Sequence, residues 1–111
     1  LEKVGTFDKR FFLYFEDVDL SVRTERAGYK IGYCPESVIW HKNAGSSGGA
    51  GSSLHNYYLA RNRLLFTEKH GSLKAKLTGV RVLVQYLVGT AAQRIAVLHY
   101  VLRRFGKQTI V

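Results

Sequence analysis

The chain has 111 residues, 46% of them apolar, and a formal net charge of +9 at neutral pH. This composition is ordinary for a globular domain and argues against a disordered polypeptide, and the length fits one small domain. A single cysteine excludes an intrachain disulfide and predicts a reducing, cytoplasmic location. The chain begins at Leu1 with sequence typical of the inside of a domain, which indicates a fragment of a longer protein.

The first element predicted is a helix that follows a run of aromatic residues. This run, residues 11–15, is here called the aromatic segment. The helix is predicted from Glu16 to Ala27, because its first turn is acidic and complements the helix dipole. Gly28 fits the position after the C-terminal cap, where a positive φ is required.

Two short strands and a loop complete the first half. Residues 29–33 and 38–40 have the composition of short strands. Residues 43–53 are rich in glycine and serine, which fits either a plain linker or a mobile loop that closes over a substrate. The overall expectation is therefore an α/β chain, with short strands and a helix before a mostly helical tail.

The second half predicts helices with a strongly basic surface. Ser53 fits the cap of a helix over 54–70, and a single long amphipathic helix is predicted over 73–104. Residues 55–111 hold ten basic residues and one acid, whereas residues 1–54 are balanced in charge. Two regions, 1–54 and 55–111, are therefore expected, and the basic one predicts an anionic partner such as lipid headgroups, nucleic acid or phosphate.

The long amphipathic pattern leaves three interpretations open. Its longest uncharged stretch, residues 82–93, is 12 residues long, whereas a bilayer requires roughly 20. The pattern therefore fits a helix on an anionic membrane surface, or one packed on protein, including a second copy, better than a membrane-spanning helix.

The acid cluster, defined as Glu16, Asp17 and Asp19, is the strongest candidate for chemistry. Three carboxylates beside aromatic residues repel one another and resist desolvation, so such clusters are typical of proton transfer or metal binding. A carboxylate here fits a general base for a hydroxyl or a ligand of a hard divalent cation. The alternative is an acidic first turn that only caps a helix.

Other candidates lie at the end of the second predicted strand and in the next helix. His41 fits a metal ligand at a sheet edge, or a structural histidine. Trp40 fits packing, or stacking on a sugar or base. Arginines in the sequence Arg61-Asn62-Arg63 fit phosphate binding, or a solvated basic face.

Taken in order, several motifs resemble a known enzyme family. The chain is similar, over roughly residues 3–70, to the C-terminal half of a family 2 glycosyltransferase of the bacterial rhamnosyltransferase-like kind. The motifs are Gly5-Thr6-Phe7-Asp8-Lys9-Arg10-Phe11-Phe12, Glu16-Asp17-Val18-Asp19-Leu20, Ala27-Gly28-Tyr29, Pro35-Glu36, Trp40-His41 and Tyr58-Leu59-Ala60-Arg61-Asn62-Arg63.

The resemblance implies a GT-A fold, which is a Rossmann-like α/β domain, and an inverting transfer from a nucleotide-sugar donor. It implies that Asp17 is the general base on the acceptor hydroxyl, and that Glu16 and Asp19 support the acceptor site. It further implies that His41 helps to hold a divalent metal on the donor diphosphate. The substrate-binding residues would be Asp19, Trp40, Arg61, Asn62 and Arg63, with the two arginines on phosphates.

The resemblance also implies what this chain lacks. In such enzymes the nucleotide-binding strands and an Asp-x-Asp metal motif lie upstream, so the magnesium or manganese ion would be held mostly by an absent N-terminal half. The isolated chain is therefore expected to be inactive. In the complete enzyme we expect a saccharide or lipid-linked acceptor of the cell envelope, and a cytoplasmic location, peripheral at the inner face of the plasma membrane.

Two alternatives belong to other classes of protein. The first is a non-catalytic basic module that binds a membrane surface or nucleic acid through residues 55–111. Nucleic acid is disfavoured, because the aromatic residues Tyr86 and Tyr100 of the tail lie within its apolar pattern. The second is a purely structural module that forms homo-oligomers.

Overall fold

The structure is a computed structural model that describes residues 2–40 and 50–110. The described residues form four α-helices and contain no strand. In chain order the helices are α1 (Glu16–Arg26), α2 (Ser53–His70), α3 (Leu73–Leu87) and α4 (Ala91–Val101).

The predicted α/β architecture, with its Rossmann-like sheet, is therefore wrong for the described residues. Residues 29–33 and 38–40 are irregular, and every side chain from Tyr29 to Trp40 is exposed. A strand is stable only when a neighbouring strand pairs with its backbone, and a composition rich in aromatic and β-branched residues does not supply that partner. No strand ladder forms within residues 2–40 and 50–110.

The first two helices form close to where local signals place them. α1 begins at Glu16 as predicted, ends one residue early at Arg26, and is followed by Gly28 with φ of 88°. α2 begins one residue early, because the hydroxyl of Ser52 rather than Ser53 accepts the hydrogen bond from the backbone N–H of His55 at 3.1 Å.

The long helix predicted over 73–104 is wrong, because the chain breaks at residues 88–90 to form α3 and α4. Thr90 and Gln93 form a capping box, in which each side chain bonds the other residue's backbone N–H, and this starts a new helix. Gly89 permits the break, since a Cβ there would lie 2.0 Å from Oε1 of Gln93. The amphipathic period continues across the break, which hides it in the sequence.

α2 is the central helix, and its packing on α4 forms the core. Its tyrosines Tyr57 and Tyr58 are buried against the small side chains of Ala92 and Ala96. Buried residues occur on most sides of α2, including the polar pair Arg61 and Asn62. A helix buried on most sides is typical of the centre of a fold.

α3 carries an exposed apolar stripe, defined as Leu73, Leu77, Val80, Val84 and Leu87. These side chains recur at alternating spacings of four and three and are between 48% and 77% exposed. None of the helices in the described part of the chain combines the length and the apolar content needed to cross a bilayer. The stripe is therefore an open apolar surface on a short amphipathic helix.

Candidate active site

The three acids of the acid cluster have three different environments. Asp17 is exposed in the first turn of α1, and one of its carboxylate oxygens accepts a hydrogen bond from the backbone N–H of Val18 at 2.8 Å. No lysine or arginine among the described residues forms an ion pair with Asp17. Its carboxylate is therefore free to accept a proton from a molecule in solvent.

Glu16 is half-buried, and one of its carboxylate oxygens has no hydrogen-bond partner among the described residues. This atom, Oε2, is buried. The side chain lines an open pocket of about 500 Å³ that also contains two lysines and two phenylalanines. Buried carboxylate oxygens are normally hydrogen-bonded, so Oε2 lacks a donor that the described residues do not supply. The residues that line the pocket are Phe7, Asp8, Lys9, Phe12, Glu16, Gly106 and Lys107.

Asp19 has no exposed surface, because three cationic or polar side chains surround its carboxylate. Nζ of Lys69 and Nε2 of His70 each lie 2.7 Å from Oδ1, and Nε of Arg23 lies 2.9 Å from Oδ2. A substrate could reach Asp19 only after these contacts break. Its predicted role in supporting the acceptor site stays a prediction.

Asp8 extends this set into what we call the buried ion network, formed by Asp8, Asp19, Arg23, Lys69 and His70. Lys69 bridges the two acids, with its Nζ 2.8 Å from Oδ2 of Asp8. Arg23 donates to the backbone carbonyls of Val4 and Thr6. The network thus ties the start of the chain and α1 to the end of α2.

His70 takes a defined tautomer within the network. Nη1 of Arg26 lies 3.0 Å from Nδ1 of His70, and an arginine can only donate. Nδ1 therefore accepts, and the proton on Nε2 is donated to Asp19. His70 thereby connects Arg26 of α1 with Asp19 through its two ring nitrogens.

The acids of the network have lowered pKa values. Burial by itself raises the pKa of Asp19, but hydrogen bonds from Lys69, His70 and Arg23 together lower it below its usual value. The pKa of Asp8 lies well below its usual value, chiefly through its hydrogen bonds with Arg10 and despite partial burial. Both carboxylates therefore stabilise the fold when ionised.

We expect the contribution of Asp8 to stability to disappear in acid. Because its folded-state pKa is lower than its ordinary value of 3.8, the contribution is complete above that value and is lost as the pH falls through the folded pKa. In urea unfolding, Asp8→Asn should cost about 2 kcal/mol at pH 6 and progressively less below pH 4 or so. Glu25→Gln, an exposed acid on α1, is the control and should cost little at either pH. An Asp8→Asn cost that is the same at pH 6 and in strong acid would contradict the assignment.

Arg61 is wholly buried and bonds to the protein itself. Its guanidinium donates to the backbone carbonyls of Arg10, Phe11 and Gly106 at 2.8–3.0 Å. Two further hydrogen bonds go to side-chain oxygens of Tyr57 and Asn62, and the charge lies over three aromatic rings, those of Tyr57, Tyr58 and Phe105. Within the described residues no carboxylate pairs with it. Carbonyl dipoles and ring faces therefore stabilise this buried charge.

Asn62 is also wholly buried, and it holds the aromatic segment. Its Nδ2 lies 2.8, 2.7 and 2.9 Å from the carbonyl oxygens of Phe11, Leu13 and Tyr14. Its Oδ1 accepts from Nε of Arg61 at 3.1 Å, which fixes the orientation of the amide. Arg61 and Asn62 therefore bind neighbouring carbonyls of one segment, the segment that leads into the acid cluster.

The aromatic segment has an unusual backbone. Phe12, Tyr14 and Phe15 have φ of 62°, 66° and 70°, in the left-handed region. Each such residue costs about 1–2 kcal/mol for an L-amino acid with a bulky side chain. Phe15 is also the N-cap of α1 and supplies no side-chain cap. The conformation therefore depends on partners elsewhere in the fold.

The remaining predicted site residues lie apart from this cluster or outside the described residues. Arg63 is exposed and lines a groove of about 400 Å³ between α2 and α3, whereas Arg61 faces the core. Trp40 is 96% exposed. His41, the predicted metal ligand, lies outside the described residues, as does most of the predicted Gly/Ser loop. Substrate or metal binding by these residues stays a prediction.

The described residues do not form a metal site by themselves. Nowhere in residues 2–40 and 50–110 do three His, Cys, Asp or Glu side chains lie close enough to hold an ion. Within the acid cluster, the carboxylate of Asp19 is paired with the side chains of Arg23 and Lys69, and Asp17 is exposed to solvent. A magnesium or manganese ion therefore stays a prediction that involves residues beyond these.

Sequence reasoning missed the partners that hold the acids. Lys69 and His70 lie 50 and 51 residues after Asp19, and no local pattern connects them. The available signal was indirect: three acids in four residues require compensating charge, and the basic end of α2 is a place to look for it. No pattern in the sequence indicated that Asn62 donates hydrogen bonds to backbone carbonyls.

The chain is similar to two curated proteins from Mycobacterium tuberculosis, from strains CDC 1551 / Oshkosh and ATCC 25618 / H37Rv. Both are named N-acetylglucosaminyl-diphospho-decaprenol L-rhamnosyltransferase, and each is 46% identical over 46 residues. The matched stretch is 41% of this chain and 15% of each relative, so the chain spans only a small part of their length. No family model matches the chain. No solved structure matches it either.

Proposed function

We propose that this chain is part of an inverting glycosyltransferase of family 2, and that it contributes the general base for the acceptor. The observation that carries the proposal is the 46% identity over 46 residues to proteins named as rhamnosyltransferases. Two further observations support the proposal: the carboxylate of Asp17 is exposed, and Glu16, the preceding residue, lines an open pocket.

The proposed step uses Asp17 as the proton acceptor. The acceptor hydroxyl attacks the anomeric carbon of the donor, and its proton passes to a carboxylate oxygen of Asp17. The bond from that carbon to the nucleotide diphosphate breaks, and the diphosphate leaves with the electron pair. A single displacement of this kind inverts the configuration at the anomeric carbon. Asp17 suits the role because it is exposed and has no cation as a partner among the described residues.

The pocket beside Glu16 is the proposed place for the acceptor. Two phenylalanines, Phe7 and Phe12, offer apolar surface to a sugar ring, and Lys9 and Lys107 offer positive charge to a phosphate. The carboxylate of Glu16, which is part of the pocket lining, would accept a hydrogen bond from an acceptor hydroxyl. The names of the two relatives contain a sugar linked through diphosphate to a lipid, and a pocket with these groups fits such an acceptor.

A transfer assay on the complete protein that carries this chain tests the proposal. Nucleotide-activated L-rhamnose and a panel of other nucleotide-sugars would be offered with N-acetylglucosaminyl-diphospho-polyprenol as acceptor. We expect one donor to give a product with inverted anomeric configuration. Product with retained configuration would contradict the single displacement. If no donor in the panel were either hydrolysed or used for transfer, the proposed class would be contradicted.

A second candidate function, compatible with the first, is attachment to an anionic membrane surface. It rests on the exposed apolar stripe of α3 and on the ten basic residues in the second half of the chain. Apolar side chains that enter the headgroup region, flanked by cations that attract anionic lipid, are typical of helices lying in a membrane interface. A lipid-linked acceptor would be reached from that position.

We expect the chain to bind vesicles containing phosphatidylglycerol, and to release them as salt is raised. Leu77→Glu, in the apolar stripe, should weaken binding at least tenfold more than Thr78→Glu, which adds the same charge at the next residue of α3. Co-sedimentation at low and high salt measures both variants. Equal effects of the two substitutions would show that the stripe does not enter the membrane.

The same experiment separates the other partners. A second copy covering the stripe would appear as a dimer in sedimentation without lipid, and Leu77→Glu would convert it to monomer. A nucleic-acid module would bind DNA or RNA with a salt dependence that Leu77→Glu and Thr78→Glu change equally, since both add one negative charge.

A further inference from the structure

We infer that Arg61 and Asn62 are positioning residues, which hold the aromatic segment in the conformation that presents Asp17 for proton transfer. The inference rests on the proposed function, because it concerns how Asp17 is aimed. It differs from the expectation that these two side chains bind substrate phosphates.

The hydrogen-bond geometry supports this role. The amide of Asn62 and the guanidinium of Arg61 together bind the carbonyls of Arg10, Phe11, Leu13 and Tyr14. Those four carbonyls include the two that flank the left-handed Phe12 and the one on the left-handed Tyr14. Asp17 follows three residues later, in the first turn of α1. The segment therefore has its backbone fixed from α2 up to the point where the helix begins.

The backbone conformation supplies a reason why such support is needed. Three left-handed residues out of five are unfavourable for a free chain, so the segment would relax without its partners. The carbonyl of Phe15 accepts the first hydrogen bond of α1, from the N–H of Asp19 at 2.8 Å. A relaxed segment would therefore start the helix differently and redirect the side chains of its first turn.

Burial argues against a direct contact of these residues with substrate. Neither side chain has exposed surface, and the polar atoms of both bond within the protein. A phosphate could replace the carbonyls only if the aromatic segment moved away. Within Arg61-Asn62-Arg63, the first two side chains therefore hold the aromatic segment, and only Arg63 is exposed to solvent.

The test compares kcat and the donor KM in the complete protein. Asn62→Ala should lower kcat by roughly 10- to 100-fold and leave the donor KM within about twofold, since a displaced base slows the chemical step without loosening the donor. Arg61→Lys, which keeps the charge and loses the planar fork, should act in the same direction. Asn62→Gln keeps the carboxamide but displaces it by about one bond length, so it tests position if the alanine variant does not fold.

Tyr58→Phe is the matched control. Tyr58 is a buried residue on the same helix, and its hydroxyl bonds to the backbone of Gln108 rather than to the aromatic segment. Its removal perturbs the core of α2 while leaving the carbonyl contacts in place. We expect its kcat to stay within about twofold of the unmodified protein.

A double variant connects the effect to the base. If Asn62 acts through Asp17, then adding Asn62→Ala to Asp17→Asn should change the residual rate by less than about twofold. Three results would each overturn the inference while leaving the base assignment intact: multiplicative effects of the two substitutions, a raised donor KM in Arg61→Lys, or an equal loss of kcat in Tyr58→Phe. Full transfer by Asp17→Asn alone would instead overturn the base assignment, and the inference with it.

Discussion

Asp17→Asn is expected to lower kcat for glycosyl transfer by roughly 10²- to 10⁴-fold, the usual contribution of a general base. The amide keeps the shape of the side chain and cannot accept the proton of the acceptor hydroxyl. The hydrogen bond from the N–H of Val18 at 2.8 Å can be made equally well by the amide oxygen. Binding of the donor should therefore be unchanged.

The measurement is a steady-state assay of the complete protein, with donor affinity determined separately by calorimetry. Glu25→Gln is the control, because it makes the same change of carboxylate to amide on an exposed residue of α1. It should keep both kcat and donor affinity. Undiminished transfer by Asp17→Asn, or equal losses in both variants, would remove Asp17 as the base.

Asp19→Asn is expected to affect the fold rather than the chemical step, and to lower the free energy of unfolding by about 3–5 kcal/mol. The buried carboxylate is bonded to Lys69, His70 and Arg23 at 2.7–2.9 Å. Removing its charge takes an ionic partner from Lys69 and Arg23, which are partly buried, and breaking a buried ion pair from one side is among the most costly changes in a protein. The two acids are two residues apart, yet their environments predict separate effects.

Urea unfolding of this chain measures the second prediction. Asp17→Asn serves as the control, because an exposed residue without an ion pair should change stability by less than about 0.5 kcal/mol. A loss of less than about 1 kcal/mol in Asp19→Asn would show that the buried ion network contributes little to the fold. Equal losses in the two variants would contradict the division of the acid cluster into an open and a buried carboxylate.

Elements whose signals are local could be predicted from the sequence. α1 follows from its acidic first turn and Gly28, and α2 follows from a serine cap and a run of helix-forming residues. The strand predictions at 29–33 and 38–40 failed because a strand requires a pairing partner, which composition does not show. The break between α3 and α4 was missed because Gly89 and Thr90 fall within a continuing apolar period.

The candidate site was predictable only as a set of residue types. The acid cluster was recognisable, since clustered carboxylates are costly wherever they occur. Their division was not, because it depends on Lys69 and His70, about 50 residues away. The binding partners of Arg61 and Asn62 could not be predicted for a similar reason. The sequence shows that these side chains are polar, but their burial decides whether they bind phosphate or backbone carbonyls.

The contacts of the aromatic segment also have a consequence for biosynthesis. The segment leaves the ribosome before Arg61 and Asn62, which lie about 50 positions further along. At translation speeds of about 5–20 residues per second, Phe12, Tyr14 and Phe15 are synthesised seconds before the side chains of Arg61 and Asn62 that bind the carbonyls of this segment. The part of the chain that carries Asp17 can therefore reach its native form only after α2 has been synthesised, and its aromatic residues are a target for chaperones in the interval.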